Sequence, residues 1–243
     1  MAQLILRIDK KLSNYKVFDP LYENFQKVGG GLGAFLLCSQ SPVFKGERRM
    51  YWFARNLLFV VARMLFRLRV SGAENIPDKG AFVLCSNHIH SYDPVILAVT
   101  VNRQLGFIAK KELFKGRFMT WLLLTLGAFP VNRGAADMTT YRNAIQTLKV
   151  GKGLLVFSQG TRMQTLDVKG AKGGAAFFGV KAKVPVVPVG IRGSYRFFST
   201  IHINYGKPIS LEKYYEQRLK SENIDSIMTE IMSEVGRLAE GVD

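Results

Sequence analysis

The chain has 243 residues, 48% of them hydrophobic and 21% charged, which is enough apolar material for a real core and excludes a disordered or low-complexity polypeptide. Its 34 basic and 18 acidic side chains leave a formal charge of +16, and its two cysteines, Cys38 and Cys85, exclude a disulfide framework. The charge is uneven: residues 1–69 carry 12 basic and 4 acidic groups, residues 70–210 carry 18 and 6, and the remainder 4 and 8. A basic body with an acidic tail suits an anionic partner: nucleic acid, lipid headgroups or a phosphorylated substrate.

At the N-terminus, Asp9, Lys10 and Lys11 interrupt any apolar core, so no signal peptide is expected. The longest early uncharged run, Val28 to Phe44, holds four glycines and a proline. It is a poor match to the ~20 apolar residues a lipid-spanning helix needs. Gly29, Gly31 and Ala34 have a loose dinucleotide-fingerprint spacing, but "NFQK" before them is no strand, and a flexible turn into a helix is expected instead.

"RRMYWFARNLLFVVARMLFRLR" (48–69) reads as one amphipathic helix. At about 100° per residue, Arg48, Arg49, Arg55, Arg63 and Arg67 fall within roughly 120° of one another, sharing that arc with Trp52, Phe59 and Phe66. The opposite arc, from Met50 and Phe53 to Met64, Leu65 and Leu68, has no polar residue. Arginines inside the stretch make spanning costly, at ~2.5–3.5 kcal/mol each near the bilayer centre. Lying in the interface is cheaper, with Arg49, Trp52, Arg55, Arg63 and Arg67 at headgroup level. The other reading is a core helix with an arginine-rich outer edge.

From Arg69 the chain alternates. Strands are expected at 81–87, 105–110, 127–131, 153–157 and 184–190, the third an edge strand because of Pro130. Helices are expected at 94–101, 116–126, 137–149 and 173–183, and over a C-terminal stretch with Ile224, Ile227, Met228, Ile231, Met232, Val235 and Leu238 at amphipathic spacing. Cys85 lies in an apolar run that reads as core. This is an α/β fold with a mixed, mainly parallel sheet covered by helices, preceded by an N-terminal amphipathic helical region. The expected division is 1–68 for membrane association and 69–243 for the α/β domain.

Two of the three histidines fall in "SNHIHSYDP" (86–94). A metal site is not expected, since His202 is the only other histidine and no HExxH spacing exists. Asp93 precedes Pro94, the pattern of a helix N-cap. A carboxylate fixed at a helix start can also accept from one imidazole nitrogen, leaving the other as a base. His88 and Asp93 would diverge on one helix but meet across a strand–turn–helix, at the carboxyl end of a strand, where open α/β sheets place their sites. GxSxG is absent, which suggests that the substrate supplies the hydroxyl.

"NHIHSYD" (87–93) resembles the H-x4-D motif of the glycerolipid acyltransferase family, which includes the 1-acyl-glycerol-3-phosphate acyltransferases. "GAFPVNR" (127–133), "FSQGTR" (157–162) and "VPVVPV" (184–189) resemble its second, third and fourth motifs, in the family's order, and "AKKEL" (109–113) and "YGKPI" (205–209) are also similar. The resemblance covers about residues 69–210. In the third motif Ser158 and Gln159 stand where the family has Pro and Glu, which puts any role of that carboxylate in doubt.

The resemblance implies acyl transfer from acyl-CoA or acyl carrier protein to the sn-2 hydroxyl of lysophosphatidic acid, giving phosphatidic acid. His88 would be the general base oriented by Asp93. Arg133 and Arg162 would grip the acceptor's phosphate, helped by Lys110, Gly160 and Thr161. No cofactor, metal or nucleic acid is implied. The partner would be an anionic membrane surface, with the enzyme peripheral or monotopic on the cytoplasmic face. The alternatives are another acceptor, such as glycerol 3-phosphate or another lysophospholipid, or a non-catalytic basic module binding lipid or nucleic acid. Lys169, Lys172 and glycines 170, 173 and 174 could hold an anion at a helix start, or serve helix entry and close packing.

Overall fold

A computed structural model of the chain describes residues 44–131, 138–158 and 172–241. The glycine-rich stretch at 28–37, Cys38, Arg133, Gln159, Gly160, Thr161, Arg162, Lys169 and Gly170 lie outside the described residues. The chain divides into two compact units, one holding residues up to Arg55 with Gly106–Asn143, the other Asn56–Leu105 with Ala144 onward.

In the second unit, five strands run side by side in the order β1-β7-β6-β2-β5. They are β1 (Arg67–Ser71), β2 (Phe82–Ser86), β5 (Gly153–Phe157), β6 (Val186–Gly193) and β7 (Thr200–Tyr205). The β2–β5, β2–β6 and β1–β7 pairs are parallel and β6–β7 is antiparallel, so the sheet is mixed and mainly parallel, as expected. "FVLCS" in β2 is buried at every position, as an interior parallel strand requires when both faces are covered.

Within this unit, α2 (Asp93–Thr100) follows β2, and α5 (Gly174–Ala182) packs on β2, β5 and β6. Helix α6 (Ser221–Glu240) packs on β6 and β7 through Ile227, Met228, Ile231, Met232, Val235 and Leu238. Its approach is close at Gly190, where a Cβ would fall 2.2 Å from Ala239 N and 2.3 Å from the Leu238 carbonyl carbon. Only glycine fits there.

In the first unit, β3 (Leu105–Lys110), whose residues from Gly106 onward belong here, pairs parallel with β4 (Ala128–Val131). Helix α3 (Arg117–Thr125) joins them, and Pro130 sits opposite Ala109. Helix α4 covers Met138–Lys149, its residues from Ala144 onward belonging to the second unit, where Ala144 and Leu148 are buried. Sequence periodicity missed β1 and β7. The pattern in β7 is legible, with Ile201, Ile203 and Tyr205 inward on alternate positions. In β1 only Leu68 is buried, too little to register as a strand.

Helix α1 runs Phe44–Leu65, beginning and ending four residues earlier than the expected 48–69. The chain leaves it at Phe66, and the Arg67 amide pairs with the Ser199 carbonyl (2.9 Å), so Arg67 belongs to β1 rather than to the helix. The apolar arc also proves to be two stripes. Tyr51, Ala54 and Ala62 are buried, whereas Met50, Phe53, Leu57, Val60, Val61 and Met64 are exposed. Among the described residues no helix is long and apolar enough to cross a membrane.

Candidate active site

Strand β2 lies between β6 and β5, parallel to both, and its carboxyl end delivers Asn87 and His88. Asn87 is buried and extends the ladder by side chain. Its Nδ2 donates to the Ile191 carbonyl and its Oδ1 accepts from the Ile191 amide, each at 2.8 Å. That bidentate clamp to β6 fixes the backbone immediately before His88. Asn87 stands inside the motif read from sequence, but its pairing with Ile191 is long-range and gave no local signal.

After His88 the chain turns through residues 89–92 into α2. Asp93 sits within the first helical turn, with Tyr92 in the cap position and Pro94 following. The expected capping role is not what its carboxylate performs. Asp93 points back over the turn, and Oδ2 accepts from the Ile89 and His90 amides and from His88 Nδ1, each at 2.7 Å. The turn curls around the carboxylate and its amides converge on one oxygen, while the helix N-terminus beneath favours the negative charge.

This network assigns the imidazole tautomer. Backbone amides can only donate, so Oδ2 is an acceptor and His88 Nδ1 carries the hydrogen, leaving the lone pair on Nε2. His88 is 12% exposed and Asp93 0%. The imidazole stacks on Phe157 at the end of β5, with centroids 4.2 Å apart and an interplanar angle of 27°. An oriented ring with a buried carboxylate behind it is the arrangement a general base requires.

A third group completes it. Tyr195, in the loop after β6, donates its hydroxyl to Asp93 Oδ1 at 2.5 Å. Its ring stacks on His90 (4.3 Å, 18°) and meets Phe66 edge-on (5.5 Å). Burial first, and then the Asp93 charge, push the Tyr195 hydroxyl above its ordinary range, so it stays a donor. Nothing near Asp93 in sequence points to Tyr195. His90 is the neighbour expected of it, giving its amide to Asp93 while its Nδ1 accepts weakly from the Tyr92 amide (3.4 Å).

Cys85 and Ser158 flank these motifs but offer no activated nucleophile. Cys85 is fully buried, its Sγ lies 3.0 Å from Ser158 Oγ, and burial pushes the thiol up to about 12. Lys110 ends β3, opposite Val131, with its side chain exposed. Of the residues expected to hold phosphate it alone is described. Arg49 and Arg63 are exposed and Trp52 and Arg55 half-buried on α1, with Arg55 over the Trp52 ring at 5.2 Å.

A carboxylate-held imidazole thus stands at the carboxyl end of β2 in a mixed, mainly parallel sheet, and comparison with known proteins gives the class of protein. A family model described as Acyltransferase matches residues 67–192, more than half of the chain. The chain belongs to that family and is an enzyme of acyl-group transfer.

The 1-acyl-sn-glycerol-3-phosphate acyltransferase of Streptococcus pneumoniae is 30% identical over 211 residues, covering 83% of this chain and 78% of that protein. The Bacillus subtilis protein of the same name is 32% identical over 145 residues, covering 59% and 72%. In fold, the chain is similar to the crystal structure of PlsC, the 1-acyl-sn-glycerophosphate acyltransferase of Thermotoga maritima. The TM-score is 0.64 at 24% identity, over 96% of this chain and 97% of that one.

Proposed function

We propose that this enzyme acylates the sn-2 hydroxyl of lysophosphatidic acid from an acyl thioester, acyl-CoA or acyl carrier protein, giving phosphatidic acid. The observation that carries this reading is the His88–Asp93 hydrogen bond at the carboxyl end of β2, in a chain whose relatives bear that activity in their names. His88 Nε2 takes the acceptor's hydroxyl proton as its oxygen attacks the thioester carbonyl. The carbon–sulfur bond then breaks, and the imidazolium returns the proton to the departing thiolate. Asp93 holds the ring and stabilises imidazolium. Such a base contributes about 10²–10⁴-fold, the rest coming from positioning and from stabilising the tetrahedral oxyanion.

Lys110, Arg133, Gly160, Thr161 and Arg162 are assigned to the acceptor's phosphate, on the motifs that contain them. The chain works on the cytoplasmic face of an anionic membrane, and nucleic acid is no partner. The exposed apolar stripe of α1 supports membrane docking, with Arg49, Trp52, Arg55, Arg63 and Arg67 at headgroup level. A division near residue 68 is supported by β1 and the family match, which both begin at residue 67.

The test is acceptor-dependent thiol release with both donors and a panel of lysophosphatidic acid, glycerol 3-phosphate and lysophosphatidylcholine. The expected result is turnover with lysophosphatidic acid that His88→Ala abolishes while fold and vesicle binding persist. Full turnover in that variant overturns the assignment, and preference for another acceptor overturns the substrate.

A further inference from the structure

We infer that the turn Arg196–Phe197–Phe198–Ser199 is a second lipid-inserting element, which anchors the active-site end of the sheet to an anionic bilayer. The Ser199 amide bonds the Arg196 carbonyl (3.1 Å), placing Phe197 and Phe198 at the two central positions of a tight turn. Ser199 Oγ donates to the same carbonyl (2.7 Å) and to that of Ser194, so the turn is held from within. Both phenylalanines stand in the open, 68% and 69% exposed. Phe198 also has φ of 60°, a left-handed conformation that stability alone would give to glycine or asparagine. A rigid turn that holds two aromatic rings in water, one at a strained position, is built to meet an apolar phase outside the chain.

Topology places this turn beside the catalytic pair. Strand β6 runs parallel to β2, so the loop leaving β6 emerges at the end where β2 delivers His88. Tyr195, the residue immediately before the turn, holds Asp93. The Phe198 amide bonds the Leu65 carbonyl (2.7 Å), the last residue of α1, directly after the exposed Met64. The turn therefore continues the exposed stripe of α1, which ends in Leu57, Val60, Val61 and Met64, as one apolar surface.

Charge selects lipid as the occupant. No acidic residue occurs from 48 to 73 or from 186 to 211, the segments that hold the end of α1 and the turn after β6, and Arg63, Arg67 and Arg196 are exposed on them. Aromatic rings ringed by arginine without counter-charge match acyl chains beneath anionic headgroups. This deepens the reading of α1 as lipid-facing and adds a contact that reading does not contain.

The experiment is sedimentation of the full chain with vesicles of phosphatidylcholine, with and without phosphatidylglycerol, and no substrate. Phe197→Ser/Phe198→Asn removes both rings while asparagine suits the left-handed backbone, and circular dichroism checks the fold. We expect on the order of tenfold weaker partition into the mixed vesicles from the pair. Arg196→Gln is expected to flatten the salt dependence. Unchanged partition in the paired variant overturns the inference, as does absent binding by the wild type. A change in oligomeric state without a change in partition also overturns it, by making a second copy the occupant. Because no acyl transfer is measured, an inactive enzyme that still loses partition sinks the proposed reaction and leaves the anchor standing.

Discussion

The Tyr195 hydroxyl donates to Asp93 Oδ1 from 102 residues further along the chain, at 2.5 Å. Asp93 thus receives donors on both oxygens, His88 and two amides on one and Tyr195 on the other. In the proposed mechanism Tyr195 is a positioning residue, acting on His88 through the carboxylate. Tyr195→Phe keeps the ring and removes one donor, so roughly tenfold lower kcat/KM is expected, with destabilisation of about 1–2 kcal/mol. The loss should fall on kcat with KM little changed, and an unchanged kcat would reduce Tyr195 to packing.

Asp93→Asn tests the carboxylate itself. The asparagine oxygen can still accept from the amides and from His88 Nδ1, and its NH2 can face the Tyr195 oxygen, so the geometry survives. What disappears is the charge opposite imidazolium. A loss of about 10³-fold in kcat with the fold intact is expected, since orientation remains but proton uptake does not. Single-turnover thiol release measures it.

Cys85 should be chemically silent in the native enzyme. Burial raises its thiol to about 12, and the Ser158 hydroxyl offsets this only in part. In a Cys38→Ser background, a disulfide reagent at neutral pH should modify Cys85 only on the unfolding timescale and rapidly in denaturant. Fast native modification, or inactivation in step with it, would contradict the burial.

His202 sits in register between Arg69 on β1 and Arg192 on β6. Desolvation and then these two cations lower its pKa below the ordinary 6.5. Between that lowered value and 6.5 the unfolded chain binds more protons than the folded one. The stabilising contribution is therefore complete above about pH 6.5 and lost as pH falls through the folded value. An NMR titration should show His202 below the usual range, and Arg192→Gln should move it upward.

Gly190→Ala tests the seating of α6. Its Cβ would stand 2.2 Å from Ala239 N, so helix and strand must part. A destabilisation of about 2–3 kcal/mol is expected in denaturant unfolding. A neutral substitution would mean that α6 can slide on the sheet.

What the sequence made legible is short in range. The interior strands and the helices after residue 93 were legible because periodicity and burial coincide there, as in β2 and α6. The pairing of His88 with Asp93 was legible because residues five apart can meet across a strand–turn–helix, and the resemblance to the H-x4-D motif selected His88 over His90. The role of Asp93 as a cap was misread, because a carboxylate at a helix start can face either the helix or the turn before it. On α1 the apolar arc was visible, but not its division into a buried and an exposed stripe.

By itself, then, the sequence determined the alternating α/β order, the basic charge and the short-range His88–Asp93 pair, since each rests on neighbours in the chain or on composition. Only the tertiary structure decided what holds that pair: Asn87 on Ile191, Phe157 under His88, Tyr195 on Asp93. It also decided that the Phe197–Phe198 turn emerges beside them. The physical reason is that these contacts join residues many tens of positions apart, and their energy depends on strand order and direction, which no local window of residues encodes.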